Sequence, residues 1–161
     1  INDDTNTLIS GGWDNSVYLW DIRLKKSVDS IYGVCLMGDS LDYKAGQILI
    51  GNQKNKEQIQ LYDYKSRKLI QIIDWEKSFK MDGVNVYTAQ FCKKDSNYIV
   101  AGASGGFNQM KIFSKNANYD PIFCANYLPK GCYTSDFGNL TNNLAFGGGE
   151  GYIYNCAISN I

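Results

Sequence analysis

Ser10-Gly11-Gly12-Trp13-Asp14-Asn15-Ser16-Val17-Tyr18-Leu19-Trp20-Asp21 is the stretch that decides how this chain is read. It leaves an apolar strand, Leu8-Ile9-Ser10-Gly11, passes through a polar turn at 12–15, and enters a second strand that closes on an aromatic and an Asp. Short period-2 strands separated by Gly and Asn are the chemistry of a β-hairpin. Three later stretches repeat this grammar. Ile48-Leu49-Ile50-Gly51 leads through a turn at 52–57 to Gln58-Ile59-Gln60-Leu61-Tyr62-Asp63. Ile99-Val100-Ala101-Gly102 leads through 103–108 to Gln109-Met110-Lys111-Ile112-Phe113, and Leu144-Ala145-Phe146-Gly147 leads through 148–150 to Gly151-Tyr152-Ile153-Tyr154-Asn155.

Aligned on Trp20, Tyr62, Phe113 and Asn155, the repeats step by 42, 51 and 42 residues, bracketing the ~40–45 of one four-stranded unit in a repeat array. The long middle step is explained by an insertion at 75–83, placed between units where loops tolerate length. Each pair of strands has a predecessor, at 40–43, 87–91 and 133–137, and two have a successor, at 68–73 and 122–125. Four short strands per unit, repeated, predict an all-β chain of about three and a half four-stranded antiparallel blades. The unit boundaries fall at about 1–34, 35–75, 84–128 and 131–161.

The 10–21 stretch resembles the WD-repeat signature, with Trp20-Asp21 as the closing dipeptide and Asp14 at the tight-turn position. Tyr62-Asp63 is a weakened match, while Phe113-Ser114 and Asn155-Cys156 have lost the dipeptide. The resemblance spans the whole chain and implies a WD-repeat β-propeller, of which 1–161 is a partial domain, the C-terminal half of a seven-bladed ring. The family's Asp–His–Ser/Thr–Trp hydrogen-bond network cannot be completed, because the chain has no His. Ile1 opens on loop chemistry without a Met, and the last blade ends after its third strand. The expectation is therefore that three or four blades precede Ile1 and that Ile161 lies near the C-terminus of the parent. The stretches 38–51 and 58–64 also look like divergent WD-repeat proteins of ciliated protists, which implies a cilium or microtubule cytoskeleton setting.

Composition excludes several classes. The 161 residues are 44% apolar and 14% aromatic, enough for a packed core. Sixteen basic residues balance sixteen acidic ones, so no single-sign field exists to gather nucleic acid or an anionic lipid surface. No apolar run reaches the ~18 residues of a membrane helix. Cys35, Cys92, Cys124, Cys132 and Cys156 form no CxxC pair, and with no His the usual zinc sites are unavailable. They are expected to be small buried hydrophobes in a reducing, cytoplasmic compartment.

Chemistry is hard to find. Without His there is no Ser/His/Asp or Cys/His nucleophile. Asp39 with Asp42, or Asp3 with Asp4, could pair as carboxylates, but turn and strand-edge Asp are far commoner as turn formers. The Gly-rich runs at 103–106 and 147–151 precede no helix and no Lys-Ser/Thr, so they read as hairpin turns at positive φ instead of phosphate cradles. Lys25-Lys26 and Lys93-Lys94 read as solvated turns. No cofactor and no metal is expected.

What remains is surface. In the family the resemblance points to, loops between blades and loops between second and third strands share one rim, the usual protein-docking face. Here that rim would carry Trp13, Tyr32, Met37, Gln53, Lys54, Lys56, Trp75, Phe79, Lys80, Met81 and Lys130. Trp13 and the 75–81 insertion are the strongest anchors, since exposed aromatics and Met concentrate at interfaces; the competing reading of Trp75 is a packed residue at a blade end. The expected function is a non-enzymatic scaffold binding other proteins in a multiprotein complex. The alternatives are a propeller enzyme with its site in the missing half, or a substrate-recruitment module of a ubiquitin ligase.

Overall fold

Fourteen β-strands and one 3-10 turn make up the described part of the chain in a computed structural model, which covers residues 6–76, 84–94 and 96–158. The strands form four antiparallel sheets, each a meander of consecutive strands. Sheet 1 holds β1 (Thr7–Gly11), β2 (Ser16–Asp21) and β3 (Lys26–Tyr32). Sheet 2 holds β4 (Leu41–Lys44), β5 (Gln47–Gly51), β6 (Ile59–Asp63) and β7 (Leu69–Ile73). Sheet 3 holds β8 (Val84–Phe91), β9 (Tyr98–Gly105), β10 (Gln109–Ser114) and β11 (Asp120–Ala125). Sheet 4 holds β12 (Cys132–Phe137), β13 (Asn143–Gly148) and β14 (Ile153–Ala157).

The sheets stack face to face in chain order, and each seam is its own core. Ile9, Val17 and Ile31 of sheet 1 meet Ile48, Ile50 and Tyr62 of sheet 2. Leu49, Ile59 and Leu61 on the opposite face of sheet 2 meet Ile99, Ala101 and Phe113 of sheet 3. Val100, Met110 and Ile112 then meet Leu144, Phe146 and Cys156 of sheet 4. Alternation along a strand sends successive side chains to opposite seams. In sheet 3, covered on both sides, all six residues of β10 are buried; in sheet 4, covered on one, β14 alternates between exposed and half-buried.

The first strands of sheets 2, 3 and 4 lie side by side. Asp39 and Thr88 form a parallel bridge, held by the Asp39 N–H on the Tyr87 carbonyl at 2.9 Å and the Ala89 N–H on the Asp39 carbonyl at 3.0 Å. The Thr88 and Ser135 hydroxyls share a buried hydrogen bond of 2.8 Å. Sheets 2, 3 and 4 are thus joined along a line of first strands, β4, β8 and β12.

Three expectations are corrected by the strand registers. Leu144, the counterpart of Leu8, Ile48 and Ile99, pairs with Cys156, as those residues pair with Trp20, Tyr62 and Phe113. The fourth repeat therefore aligns on Cys156, not Asn155. Lys26 opens a strand that the turn reading missed; β3 buries only Ile31, so its sequence carries almost no apolar period. The Gly-rich runs are only partly turns: Gly105 and Gly151 do take positive φ (+106° and +82°), but Gly147 and Gly148 lie within β13. Gly148 is required by close approach, since a Cβ there would sit 1.8 Å from the Gly131 carbonyl oxygen.

All five cysteines are free thiols, with Cys92 and Cys132 buried and the other three half-buried. Burial pushes the Cys132 thiol up to about 12, so it is an inert, protonated core group. Among the described residues no helix is long and apolar enough to cross a membrane.

Candidate functional site: a continuous loop rim

Because every sheet is an up-and-down meander, the β1–β2 loop of sheet 1 and the loops between the second and third strands of sheets 2, 3 and 4 emerge at the same end as the loops leading from one sheet to the next. Hydrogen bonds tie these loops into one band. The Leu36 N–H donates to the Gly12 carbonyl at 3.0 Å, and the Gly33 N–H to the Asn15 carbonyl at 2.9 Å, binding the 33–40 loop to the β1–β2 hairpin. The Gln53 N–H donates to the Cys35 carbonyl at 2.9 Å, the Cys35 N–H to Asn52 Oδ1 at 3.0 Å, and Lys54 Nζ to the Gly33 carbonyl. Across the sheet 2–sheet 3 seam, Gln53 Nε2 reaches the Val86 carbonyl. The band continues with the Leu128 N–H on the Asn108 carbonyl at 3.1 Å and the Lys130 N–H on Glu150 Oε2 at 3.0 Å.

The expected rim residues divide on this frame. Trp13 is 70% exposed at the tip of the β1–β2 hairpin and Tyr32 is 73% exposed at the end of β3. Lys54, Lys56 and Lys130 are exposed, while Met37 and Gln53 are half-buried. Phe79, Lys80 and Met81 lie outside the described residues.

Trp75 is a correction. It is 1% exposed, its indole N–H donates to Gln109 Oε1 at 2.8 Å, and its ring meets Phe113 edge-on at 6.1 Å. An indole that can bury its ring and still satisfy its N–H is stable inside, where a rim position would leave that apolar area in water. Lys111 completes the arrangement. Although only 2% exposed, its ammonium donates to the Trp75 carbonyl at 2.8 Å and pairs with Glu76, lying 5.2 Å from the Trp75 ring centre. Gln109 passes the network on to Asn126 Oδ1 at 2.7 Å. The start of the insertion is therefore a seam lock.

Three rim aromatics escaped the sequence reading. Phe107, Tyr127 and Tyr152 are exposed in the 106–108, 126–131 and 149–152 loops, with Tyr127 the most exposed at 91%. The signal was available for two of them: applied evenly, the loop rule that found Trp13 would have found Phe107 and Tyr127, while Tyr152 reads as the start of a strand that begins only at Ile153.

At the inner strands a cavity of about 990 Å³ opens, lined in part by Asp39, Asp42, Lys44, Gln90, Lys93 and Asp136. Its carboxylates are engaged. Asp42 Oδ2 accepts the Phe91 N–H at 2.8 Å and Oδ1 the Tyr43 N–H at 2.7 Å; Asp39 accepts Gln90 Nε2 at 2.6 Å; Asp136 pairs with Lys93. Burial pushes the Asp42 carboxyl above its usual range, and the Asp39 charge adds to this against the opposing N–H bonds. The pairing of Asp39 with Asp42 is thus strand fastening in a shared wall; Asp3 and Asp4 lie outside the described residues. No group of three or more Cys, Asp or Glu among the described residues is arranged to hold a metal ion.

No protein-family model and no curated protein matches the chain. Solved structures do resemble it. The crystal structure of the computationally designed Ika4 protein superposes with a TM-score of 0.71 at 14% identity, covering 97% of this chain and 88% of Ika4. The designed Ika8 protein superposes with the same TM-score and identity, covering 96% of this chain but 44% of Ika8, so the chain spans less than half of that protein's length. At this identity the likeness is one of fold.

Proposed function

We propose that the chain is part of a WD-repeat β-propeller and acts as a non-enzymatic scaffold that binds other proteins through its loop rim. Four meander sheets stacked in chain order, three of them joined along a line of first strands, support the propeller reading. So does the Trp20 indole N–H donating to Ser10 Oγ at 2.8 Å, since this is the Trp–Ser/Thr half of the family's blade-locking network. The His and Asp half is missing, and at the next seam but one the Trp75–Gln109–Asn126 chain does comparable work between sheets.

The observation that carries the binding reading is the exposure of Tyr32 at the end of β3 and of Trp13 and Tyr127 on loops each hydrogen-bonded through its backbone to a neighbouring loop. Large amphipathic rings on a braced frame bury much area at little entropic cost, which is how interface anchors are built. The lysines at 54, 56 and 130 add a polar margin without giving the rim one sign of charge, because Asp14, Glu57 and Glu150 are interspersed.

Affinity capture from cell extract with mass spectrometry tests this, comparing wild type with Trp13→Ala, Tyr127→Ala and a deletion of 79–81. The expected result is loss of at least one wild-type partner in a rim variant whose fold is intact. Retention of every partner in all three variants sinks the rim as a docking surface.

A further inference from the structure

Sheets 1, 2 and 3 each end on an outer strand, β3, β7 and β11, that among the described residues has no strand on its far side. Such an edge presents unpaired backbone N–H and C=O groups, a template for another chain, and natural proteins guard it with charge, proline or a bulge. All three strands are bulged at the same register, opposite the Leu19–Trp20, Leu61–Tyr62 and Ile112–Phe113 steps. The bulge therefore does not tell them apart.

Side chains do. The β3 sequence carries two charges, Lys26 and Asp29, and β11 opens on Asp120-Pro121, whose proline has no N–H to offer. β7 is Leu69-Ile70-Gln71-Ile72-Ile73, with neither charge nor proline. Leu69 is 44% and Ile70 48% exposed, and Gln71 turns back on its own strand, donating to the Ile72 carbonyl at 2.9 Å. Of the three outer edges, the aliphatic one on sheet 2 is thus unguarded. Its position does not depend on what adjoins residues 1–161. Sheet 2 has sheet 1 on one face and sheet 3 on the other, so further sheets continuing the stack would meet sheet 1 or sheet 4 and leave this edge as it is.

The charges flanking β7 say which partner fits. Lys65 and Lys68 stand before it and Asp74 after it, all exposed, and neither Lys68 nor Asp74 has an ion-pair partner among the described residues. An antiparallel strand of the same sequence brings each basic end beside the other's acidic end, whereas a parallel one sets like charge beside like. Leu-Ile-Gln-Ile-Ile is aliphatic in both directions from Gln71, so aliphatic side chains also meet aliphatic ones. We infer that β7 pairs antiparallel with β7 of a second copy of this chain, joining two four-stranded sheets edge to edge. One pairing uses up a self-complementary edge, so association stops at two. Five residues span only about 17 Å, which makes this a small, transient contact and a weak dimer. The inference stands apart from the rim reading and asks nothing of it.

Sedimentation of the full-length protein over about 1 μM to 1 mM, the range in which contacts this small associate, tests this, with near-ultraviolet circular dichroism to report packing. The wild type should pass from monomer to dimer as concentration rises. Lys68→Asp and Asp74→Lys each set like charges beside one another at both ends of the pair, and each should raise the dissociation constant at least about fourfold. Mixed together, the two variants should associate with each other about as well as wild type, because each then supplies the charge the other lacks. Ile70→Lys, which places a guarding charge on the edge itself, should weaken the dimer at least about tenfold with packing unchanged. A wild type that stays monomeric throughout overturns the inference, as does a dimer indifferent to all three substitutions, or a mixture of the two charge variants that fails to associate. None of these outcomes touches the rim, whose test is partner capture.

Discussion

Two tryptophans mark the contrast between the molecule's interior seams and its free surface. Trp75, between sheets 2 and 3, has its ring covered, its N–H bonded to Gln109 and its carbonyl bonded to Lys111. Trp13, on the β1–β2 hairpin, has most of its ring in water. Both follow or interrupt a strand, and both sit in polar local sequence. The difference comes from neighbours distant in sequence: Gln109, Lys111 and Phe113 stand where Trp75 can use them, and at sheet 1 there is no preceding sheet among the described residues.

The sharpest way to break that contrast is to truncate each ring. Trp75→Ala should cost about 3–5 kcal/mol, the range for removing a buried aromatic, and should leave the Lys111 ammonium facing a cavity. Trp13→Ala should change stability by less than about 0.5 kcal/mol. Urea unfolding of both variants reads the two values directly; similar losses would mean that Trp13 is also a packing residue, and the rim would lose its first anchor.

Gln109→Leu probes the polar half of the same seam and should cost about 1–3 kcal/mol, because it strands the Trp75 indole N–H inside and unlinks Asn126. A loss well under that range would mean water or Asn126 takes over the indole, and the network would be ornament on an apolar seam. Together with the tryptophan pair, this separates what the seam gains from area and what it gains from hydrogen bonds.

Much of the sheet arrangement was legible in sequence because period-2 alternation and Gly-bounded strands are local signals. Strands 47–51, 59–63, 98–105 and 143–148 announce themselves through Ile, Val, Leu and Phe. Illegible were the features set by tertiary position. The outer strand β3 buries one side chain, so Lys26-Ser27-Val28-Asp29 reads as loop. The fourth repeat slipped by one residue because Asn155 and Cys156 offer no aromatic to anchor the alignment, and a one-residue slip reverses every side chain. Lys111 lies in an alternating strand with nothing to say that its ammonium would find Glu76 and the Trp75 carbonyl. For the rim, loop positions could be derived from the repeat, but exposure could not; Trp75 and Trp13 look equally available until the sheets are stacked.

The smallest expected effect concerns the inner wall, where Asp42 is a milder version of the buried-polar problem that Lys111 solves. Burial raises its carboxyl above the 3.8 of the unfolded chain, outweighing the two backbone N–H bonds it accepts, with Asp39 adding repulsion and Lys44 offsetting it. The folded protein thus holds this proton more tightly than the unfolded chain does. Its stabilising share is complete below pH 3.8 and is lost as pH rises through the higher folded value. Asp42→Asn removes the titration while keeping an acceptor oxygen for the Phe91 or Tyr43 N–H, so the variant should gain on wild type between pH 4 and about pH 7, by less than the ~1 kcal/mol of one neutral hydrogen bond. Thermal melts across that interval read the difference; a variant that instead loses ground as pH rises would mean the carboxylate's two N–H bonds outweigh its desolvation, and that this wall, like the Trp75 seam, is held by its polar contacts.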